Sequence, residues 1–328
     1  MVQVNAPGSG LGRRDGTKES SSVVPSRQCT RQMRYRRLIV IAAVAAALAA
    51  VVASFYISFG RDQRGVTVAQ QTQSTPSAGV SPTRISAATQ PRATTVHLVR
   101  NATPQPSWQP HPGPVPILVY HALGTPPPSE PYPGLYVSRQ EFEAQMRWLA
   151  RNGYQAVTLD ELMSAWYHGG MLPAKPIVIT FDNGYPAQVS FTPAVLSRYG
   201  WPGVLNEITA GHLRPAQLKQ VLAIGWEVDS HSVNHPDLTT LSPAELRYQV
   251  VASRRFLQRT LRIPADSFCY PSSEYDSAVI AAVRAAGYSN ATTENGGYAS
   301  RDRPFELNRF EIEGGQGVAG LAADLRGG

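Results

Sequence analysis

Apolar residues follow three different patterns along this chain, and each pattern predicts a different kind of structure. Residues 38–59 form an unbroken run of 22 residues without a charged side chain. Residues 61–112 show no apolar periodicity, and 27 of these 52 residues are Ser, Thr, Pro or Gln. From residue 113 onward, short apolar runs alternate with amphipathic stretches. We therefore predict a membrane-spanning segment, then a disordered linker over residues 60–112, and then a folded domain over residues 113–328.

The folded domain is predicted to alternate strands with helices. Strands are predicted at residues 115–120, 177–181, 204–208, 226–229, 267–270, 288–292 and 307–312, and helices at 142–152, 187–199, 215–223, 242–261 and 277–286. Uniformly apolar strands that alternate with helices are typical of a parallel sheet covered by helices, and about seven such units predict a closed (β/α)7-type barrel. An open doubly wound sheet is the alternative, although no glycine fingerprint for a dinucleotide or phosphate follows any predicted strand.

Charge placement favours a membrane anchor near the N-terminus. Residues 1–37 hold eight Lys or Arg and two acidic residues, and four of these arginines lie within 31–37, directly before the apolar run. The positive-inside rule then keeps a disordered 1–37 tail in the cytoplasm. We predict a single-pass signal anchor at 38–59 in a bacterial cell membrane, with the C-terminal domain extracytoplasmic. A cleaved secretory signal, with 51–53 as its small-residue site, is the alternative, although 37 residues are long for its leader.

The positive net charge does not belong to the folded domain. The whole chain has a formal charge of +7, but residues 113–328 contain 17 basic and 20 acidic residues. A domain that binds nucleic acid carries its basic surface on the fold itself. We therefore expect no nucleic-acid partner.

Polar residues follow four of the predicted strands. His121 ends the first strand, Asp182 and Asn183 follow the second, His231 follows another, and Ser272 follows a fourth. The carboxyl ends of the strands in a parallel barrel meet at one mouth, where the active sites of such folds lie. We expect these polar groups to share one pocket.

Two of these groups suggest metal chemistry. His231 and His235 lie four residues apart and can bind one metal ion if the segment is helical or tightly turned, whereas an unrelated surface pair is the alternative. Asp182 is a candidate general base, an Asx-type turn residue or a metal ligand itself. A proton acceptor beside most of a metal site predicts metal-assisted hydrolysis. Cys269 is predicted to be a small core residue.

Several motifs of the folded domain, in this order, resemble the polysaccharide deacetylase family (the NodB-homology domain, carbohydrate esterase family 4). The strings are PILVYH at 116–121, FEAQMRWL at 142–149, TFDNGY at 180–185, HSVNH at 231–235, FCYP at 268–271 and LNR at 307–309. They are similar to the family's opening strand, first helix, TFDDG[YF], H[ST]xxH, FxYP and LxR elements. The resemblance spans about residues 114–313 and implies a distorted barrel of parallel strands.

The resemblance also implies a metal site and a base. Asp182 matches the family's general base, and His231 and His235 match two metal ligands. Asn183 stands at the third ligand position, which is Asp in the family. A divalent metal is implied, with zinc expected first and cobalt or nickel as alternatives. Because an amide oxygen replaces a carboxylate, we expect the metal affinity to be weakened.

Three further roles follow from the same resemblance. The backbone N–H of Ser272 falls where the family holds the oxyanion. His121 matches the opening-strand histidine that protonates the leaving amine in the exopolysaccharide-deacetylase branch, and no histidine follows His235 in this chain. Arg309 is expected to orient Asp182.

Two functions from different classes remain open from the sequence. The first is a membrane-anchored deacetylase that hydrolyses N-acetyl groups on amino-sugar polymers of the cell wall or of an exopolysaccharide. Asp182, the two histidine ligands and His121 favour this function. The second is a catalytically impaired, deacetylase-like domain that binds cell-wall glycan without hydrolysing it, and Asn183 favours this one.

Overall fold

A curled parallel β-sheet with helices packed against it organises the described part of the chain, residues 98–327 of this computed structural model. In chain order, the strands are β1 (Ile117–Tyr120), β2 (Ala122–Leu123), β3 (Tyr136–Val137), β4 (Gln155–Val157), β5 (Pro176–Asp182), β6 (Val204–Glu207), β7 (Glu227–Ser230), β8 (Ser267–Cys269), β9 (Asn290–Thr292) and β10 (Phe310–Glu311). The α-helices are α1 (Arg139–Arg151), α2 (Leu159–Tyr167), α3 (Pro186–Ser190), α4 (Thr192–Ser197), α5 (Pro215–Ala223), α6 (Pro243–Leu261), α7 (Ser277–Ala285) and α8 (Gly317–Gly327). The predicted α/β class is confirmed.

Seven strands follow one another across the main sheet in the order β10, β1, β5, β6, β7, β8, β9, and all of these pairs are parallel. β5 pairs with β4 along its first three residues and with β6 along its last three. The two ends of the sheet approach each other at one isolated parallel bridge, between Thr292 and Leu307. The sheet is therefore a curled half-barrel, and its closure is less regular than the predicted (β/α)7-type barrel because β10 is only two residues long.

Local sequence explains where most helices begin and end. The capping box predicted for α6 is present, since the Ser242 side chain accepts from the Glu245 backbone and the Glu245 side chain accepts from the Ser242 backbone.

The single helix predicted at 187–199 is two short helices instead, α3 and α4. Pro193 lies in the first turn of α4, and proline has no N–H to continue a preceding helix. Helices α2 and α8 were not predicted.

The core lies on both faces of the sheet. The outward-facing core is aromatic, with the ring of Phe181 stacked on Trp226 at 5.4 Å between centroids. A second cluster of buried side chains lies around Ile117, Val178 and Val204. Both cores fix the strands and so fix the residues that follow them.

Residues 98–112, which the sequence analysis placed in the linker, pack against the amino-terminal ends of the strands. The Val99 N–H donates to the Ile224 carbonyl at 2.9 Å, and Trp108 is buried. Asn101 is fully buried, and its Nδ2 donates to the Ala156 carbonyl at 3.0 Å. The sequence pattern did not indicate this packing because its apolar residues are isolated in a proline-rich stretch.

The predicted membrane span at 38–59 lies outside the described residues, as does the 1–37 tail. Within residues 98–327, none of the helices combines the length and the apolar character that a membrane crossing requires.

The packing of residues 98–112 predicts a measurable contribution to stability. Asn101→Ala leaves the Ala156 carbonyl without its partner, so the free energy of unfolding should fall by about 1–3 kcal/mol. Thr103→Ala, at an exposed position of the same segment, is the control and should change it by less than about 0.5 kcal/mol. Equal values for the two variants in urea unfolding would show that the segment is not held by this contact.

Candidate metal and catalytic site

Residues at the carboxyl ends of three strands converge at one mouth of the sheet, together with the residue that precedes the last strand. Asp182 is the last residue of β5, His231 follows β7, and His121 follows β1. Arg309 directly precedes β10 and reaches the same point. The structure thus brings together His121, Asp182 and His231, three of the polar groups that were expected to share one pocket, and places Arg309 beside them.

A buried ion pair lies at the centre of the mouth. Arg309 donates two hydrogen bonds to the Asp182 carboxylate, from Nη1 to Oδ1 at 2.8 Å and from Nη2 to Oδ2 at 2.7 Å, and neither side chain is exposed. Burial alone would raise the pKa of Asp182, but the charge and hydrogen bonds of Arg309 outweigh it and hold that pKa well below its usual range. Asp182 is therefore ionised throughout the working range of most enzymes.

Further donors fix the orientation of the Asp182 carboxylate. Asn206 Nδ2 donates to Oδ1 at 2.7 Å, and the Cys269 thiol donates to Oδ2 at 3.3 Å. Burial raises the pKa of the Cys269 thiol well above its usual value, so Cys269 stays protonated and acts as a donor. The sequence predicted Cys269 as a buried residue but missed its contact with Asp182. It missed Asn206 altogether because that residue lies inside a predicted strand and not after one.

The two predicted ligand histidines lie in a tight turn after β7. Ser232 and His235 both have left-handed backbone conformations, with φ of 68° and 60°, and the His235 N–H donates to Ser232 Oγ at 2.9 Å. This turn brings the two imidazole rings to 4.6 Å between centroids. The spacing thus works through a turn and not through a helix.

The protonation of His231 is fixed by its backbone partner. Its Nδ1 lies 2.9 Å from the Cys269 carbonyl, which can only accept, so Nδ1 carries the proton. Its Nε2 then offers a lone pair, 3.9 Å from Asp182 Oδ2. Burial lowers the pKa of His231 to about 3 and also lowers the pKa of His235. Both rings are therefore neutral near pH 7, which is the form that binds metals.

Asn183 offers a further oxygen donor next to Asp182. It follows Asp182 with φ of 77°, and its side-chain Oδ1 is buried without a hydrogen-bond partner among the described residues. A buried acceptor without a partner is unfavourable unless a cation or donor meets it. An amide oxygen and two neutral imidazoles suit zinc and similar ions. The ligand atoms of Asp182, His231 and Cys269 also lie within 4.8 Å of one another.

His121 lies between two carboxylates that the sequence analysis missed. Its Nε2 is 3.6 Å from Glu294 Oε1, and its Nδ1 is 3.8 Å from Glu311 Oε1. Glu294 Oε1 also lies 3.3 Å from Arg309 Nη2, so Glu294 connects His121 to the ion pair of Arg309 and Asp182. Burial lowers the pKa of His121, and the nearby Asp182 and Glu311 charges oppose that effect. Glu294 lies in a loop and Glu311 in a two-residue strand, so neither had a pattern that could reveal it.

Ser272 lies at the same mouth but stands apart from this network. It belongs to the 3₁₀ turn Pro271–Ser273 after β8, has φ of 50°, and is exposed. Its neighbour Ser273 accepts from the Glu294 N–H through Oγ at 2.8 Å. The turn fixes the backbone of Ser272, and its side chain takes no part in the hydrogen bonds described above.

Glu207 lies against the turn that follows β5 and carries Asn183 and Gly184. It ends β6, is almost fully buried, and its Oε2 would lie 2.3 Å from any Cβ at Gly184. Burial raises the pKa of Glu207 to about 8. Gly184 therefore has two constraints, a φ of 72° and the lack of space for a side chain.

Comparisons with known proteins show a similarity to polysaccharide deacetylases. The sequence pattern of the family described as polysaccharide deacetylase matches residues 169–291. The chain is 28% identical over 218 residues to the YxkH protein of Bacillus subtilis (strain 168), classed by name as a polysaccharide deacetylase; the match covers 65% of this chain and 76% of that protein. It is 36% identical to the poly-beta-1,6-N-acetyl-D-glucosamine N-deacetylase of Escherichia coli (strain K12), over only 77 residues, 24% of this chain and 11% of that protein.

A solved structure shows the same fold. The Streptococcus pyogenes deacetylase PplD, determined in complex with acetate, superposes with a TM-score of 0.61 at 26% identity. The superposition covers 65% of this chain and 99% of that protein.

The central ion pair predicts a large effect of removing its positive partner. Arg309→Met leaves the Asp182 carboxylate buried without its counter-charge, so the free energy of unfolding should fall by about 3–5 kcal/mol. The matched control is Arg303→Met, which breaks the exposed pair with Glu306 and should cost about 1 kcal/mol or less. Denaturant unfolding of both variants measures the difference, and similar losses would contradict the central place of this pair.

The contact between Gly184 and Glu207 is tested by a pair of glycine substitutions. Gly184 and Gly296 have nearly the same φ, 72° and 74°, but no atom lies within 4 Å of a Cβ at Gly296. Both alanine variants carry the backbone cost, so their difference isolates the contact. We expect Gly184→Ala to be about 1–3 kcal/mol less stable than Gly296→Ala in denaturant unfolding. Equal stability would mean that the Glu207 side chain moves aside freely.

Proposed function

Because this chain belongs to the polysaccharide deacetylase family, we propose that its mouth is the active site of a metal-assisted N-deacetylase. The substrate class is a polysaccharide of N-acetylated amino sugars. The observation that carries the proposal is the Asp182 carboxylate, held ionised by Arg309 beside the neutral imidazoles of His231 and His235. A protein that only binds glycan has no need for a buried proton acceptor beside metal donors.

The residues of the mouth divide the reaction between them. His231, His235 and Asn183 would hold a divalent cation, zinc first, and such an ion would supply the positive charge that polarises an acetyl carbonyl and acidifies a water. Asp182 accepts the proton of the attacking water, whose oxygen bonds to the carbonyl carbon. The Ser272 N–H donates to the carbonyl oxygen as negative charge develops there. His121, whose ligand nitrogen lies within 4.8 Å of an Asp182 oxygen, protonates the amine nitrogen as the C–N bond breaks. The products are acetate and a free amino sugar.

We place the enzyme in the exopolysaccharide-deacetylase branch. His121 on the first strand supports this placement, because no histidine follows His235 to supply the proton from the other end of the chain. The local similarity to the Escherichia coli N-deacetylase supports it as well, although the match spans only about a tenth of that protein. We further propose that residues 38–59 anchor the domain in the cell membrane with the mouth outside the cell, on the basis of the sequence pattern alone.

Glycan binding without hydrolysis is the second candidate function. Asn183 favours it, since a neutral amide replaces a negatively charged ligand next to the cation and weakens its binding. The two functions differ in one measurable product, which is acetate.

The proposed hydrolysis is tested with the purified full chain, N-acetylglucosamine oligomers, and zinc, cobalt or nickel. We expect acetate release, and Asp182→Asn should lower kcat by about 10²- to 10⁴-fold while the circular dichroism spectrum stays unchanged. Asn183→Asp should tighten metal binding by at least about tenfold. Asn152→Asp, an exposed site at the end of α1, is the matched control and should change neither value.

Two outcomes would decide against hydrolysis. If neither the parent chain nor Asn183→Asp releases acetate with any of the three metals, the deacetylase proposal is wrong. Retained binding of the oligomers under those conditions would then support the glycan-binding function.

A further inference from the structure

A second group of acidic side chains lies at the other end of β7 from His231, away from the mouth. A cavity of about 140 Å³ is formed where β7, the start of α2 and the loop before β8 meet. Four carboxylates line it, those of Asp160, Glu227, Asp229 and Asp266. The mechanism proposed above uses none of them.

Two of these carboxylates are buried and point to the same side of the sheet. Glu227 and Asp229 are separated by one residue on β7, so their side chains lie on one face of the strand. Only 7% of Glu227 and 2% of Asp229 is exposed. Glu227 Oε2 accepts from the Asp160 N–H at 2.9 Å, in the first turn of α2. The Glu227 and Asp229 side chains lie within hydrogen-bonding reach of each other, and neither Glu227 Oε1 nor Asp229 Oδ2 meets a donor among residues 98–327.

The nearby positive charge does not satisfy these two oxygens. Arg254 reaches the rim of the cavity, but its Nη2 pairs with Asp266 at 2.9 Å and its Nε donates to the Ala265 carbonyl. Within the described range, Glu227 and Asp229 form no ion pair with a basic side chain. A buried carboxylate without a partner is costly, so it must gain either a proton or a cation.

The chemistry of the lining selects the kind of cation. The cavity offers carboxylate and other oxygen donors, and neither an imidazole nor a thiol lines it. Oxygen donors alone suit hard cations, whereas nitrogen and sulfur donors suit zinc and its neighbours. Since one water takes about 30 Å³, the cavity has room for an ion with a few waters. Calcium accepts such irregular and partly hydrated coordination, but magnesium demands a near-ideal octahedron.

We propose that this cavity is a calcium-binding site, held by Glu227 and Asp229 with Asp160 at its edge. Among residues 98–327, groups of three His, Cys, Asp or Glu donors within 4.8 Å of one another were found only at the mouth. The cavity ion is therefore held by two carboxylates and by waters. This donor set places the affinity in the weak range of extracellular calcium modules, at a Kd of about 10⁻⁴–10⁻³ M. The bound ion lies beside the Asp160 N–H contact through which Glu227 joins α2 to β7, the strand that leads to His231.

Terbium luminescence tests the proposal directly, because Trp226 also lines the cavity and can sensitise a lanthanide bound there. With the full chain, we expect terbium emission on excitation of tryptophan, and calcium should displace it. Calcium should also raise the thermal midpoint by about 4 °C at saturation. Glu227→Gln and Asp229→Asn should each weaken calcium binding by at least about tenfold.

Three controls make the result specific to this cavity. Trp226→Phe should abolish the emission but keep the calcium-dependent shift of the midpoint. His235→Ala, which removes a donor at the mouth, should keep both signals. Asp302→Asn, an exposed carboxylate elsewhere, should behave as the parent chain.

The proposal is overturned if the parent chain shows neither emission nor a calcium-dependent shift at about 10 mM calcium, well above the expected Kd. It is equally overturned if Glu227→Gln responds to calcium as the parent does, since protons would then neutralise the pair. Should Glu227→Gln fail to fold, the displacement of terbium by calcium in the parent and its loss in Trp226→Phe still decide the question.

Discussion

The ion pair between Asp182 and Arg309 is the interaction on which the rest of the mouth depends. It joins the end of β5 to a segment 127 residues further along the chain, just before the last strand of the sheet. A buried carboxylate is tolerated only when a charge and several hydrogen bonds replace its water, and here the guanidinium, an amide and a thiol do so. The same contacts that permit burial also keep the carboxylate ionised and aligned beside His231. The contacts that join the last strand to β5 are thus the same contacts that prepare Asp182 for its proposed role as proton acceptor.

Backbone strain is concentrated at the same place. Seven non-glycine residues in the described range have a positive φ, and five of them lie in the loops of the mouth: Asn183, Ser232, His235, Ser272 and Ser273. Such conformations cost about 1 kcal/mol each and persist only where the surroundings determine them. The parallel strands beneath supply that determination, because β5, β6, β7 and β8 are buried along their whole length and pair with their neighbours. The turns can therefore present donors in directions that a regular helix or strand does not allow.

The sequence predicted the mouth better than it predicted what surrounds it. Parallel strands must end at one edge, so polar residues after successive strands could be grouped without knowing any distance, and Arg309 followed from its motif. Asn206 and Glu294 could not be found this way, since their importance arises only from residues far away in the chain. The prediction of a single helix over 187–199 was wrong, because it followed the apolar pattern and did not consider the break that Pro193 imposes on a helix. The packing of residues 98–112 was missed because single buried side chains leave no periodic trace.

The position of residue 99 has a consequence for access to the mouth. Val99 is bonded to Ile224, just before β7 begins, whereas His231 lies just after the same strand ends. The polypeptide consequently joins the domain at the pole opposite the reactive groups. Residues 98–112 therefore pack away from the mouth and leave its approach to the polymeric substrate proposed above.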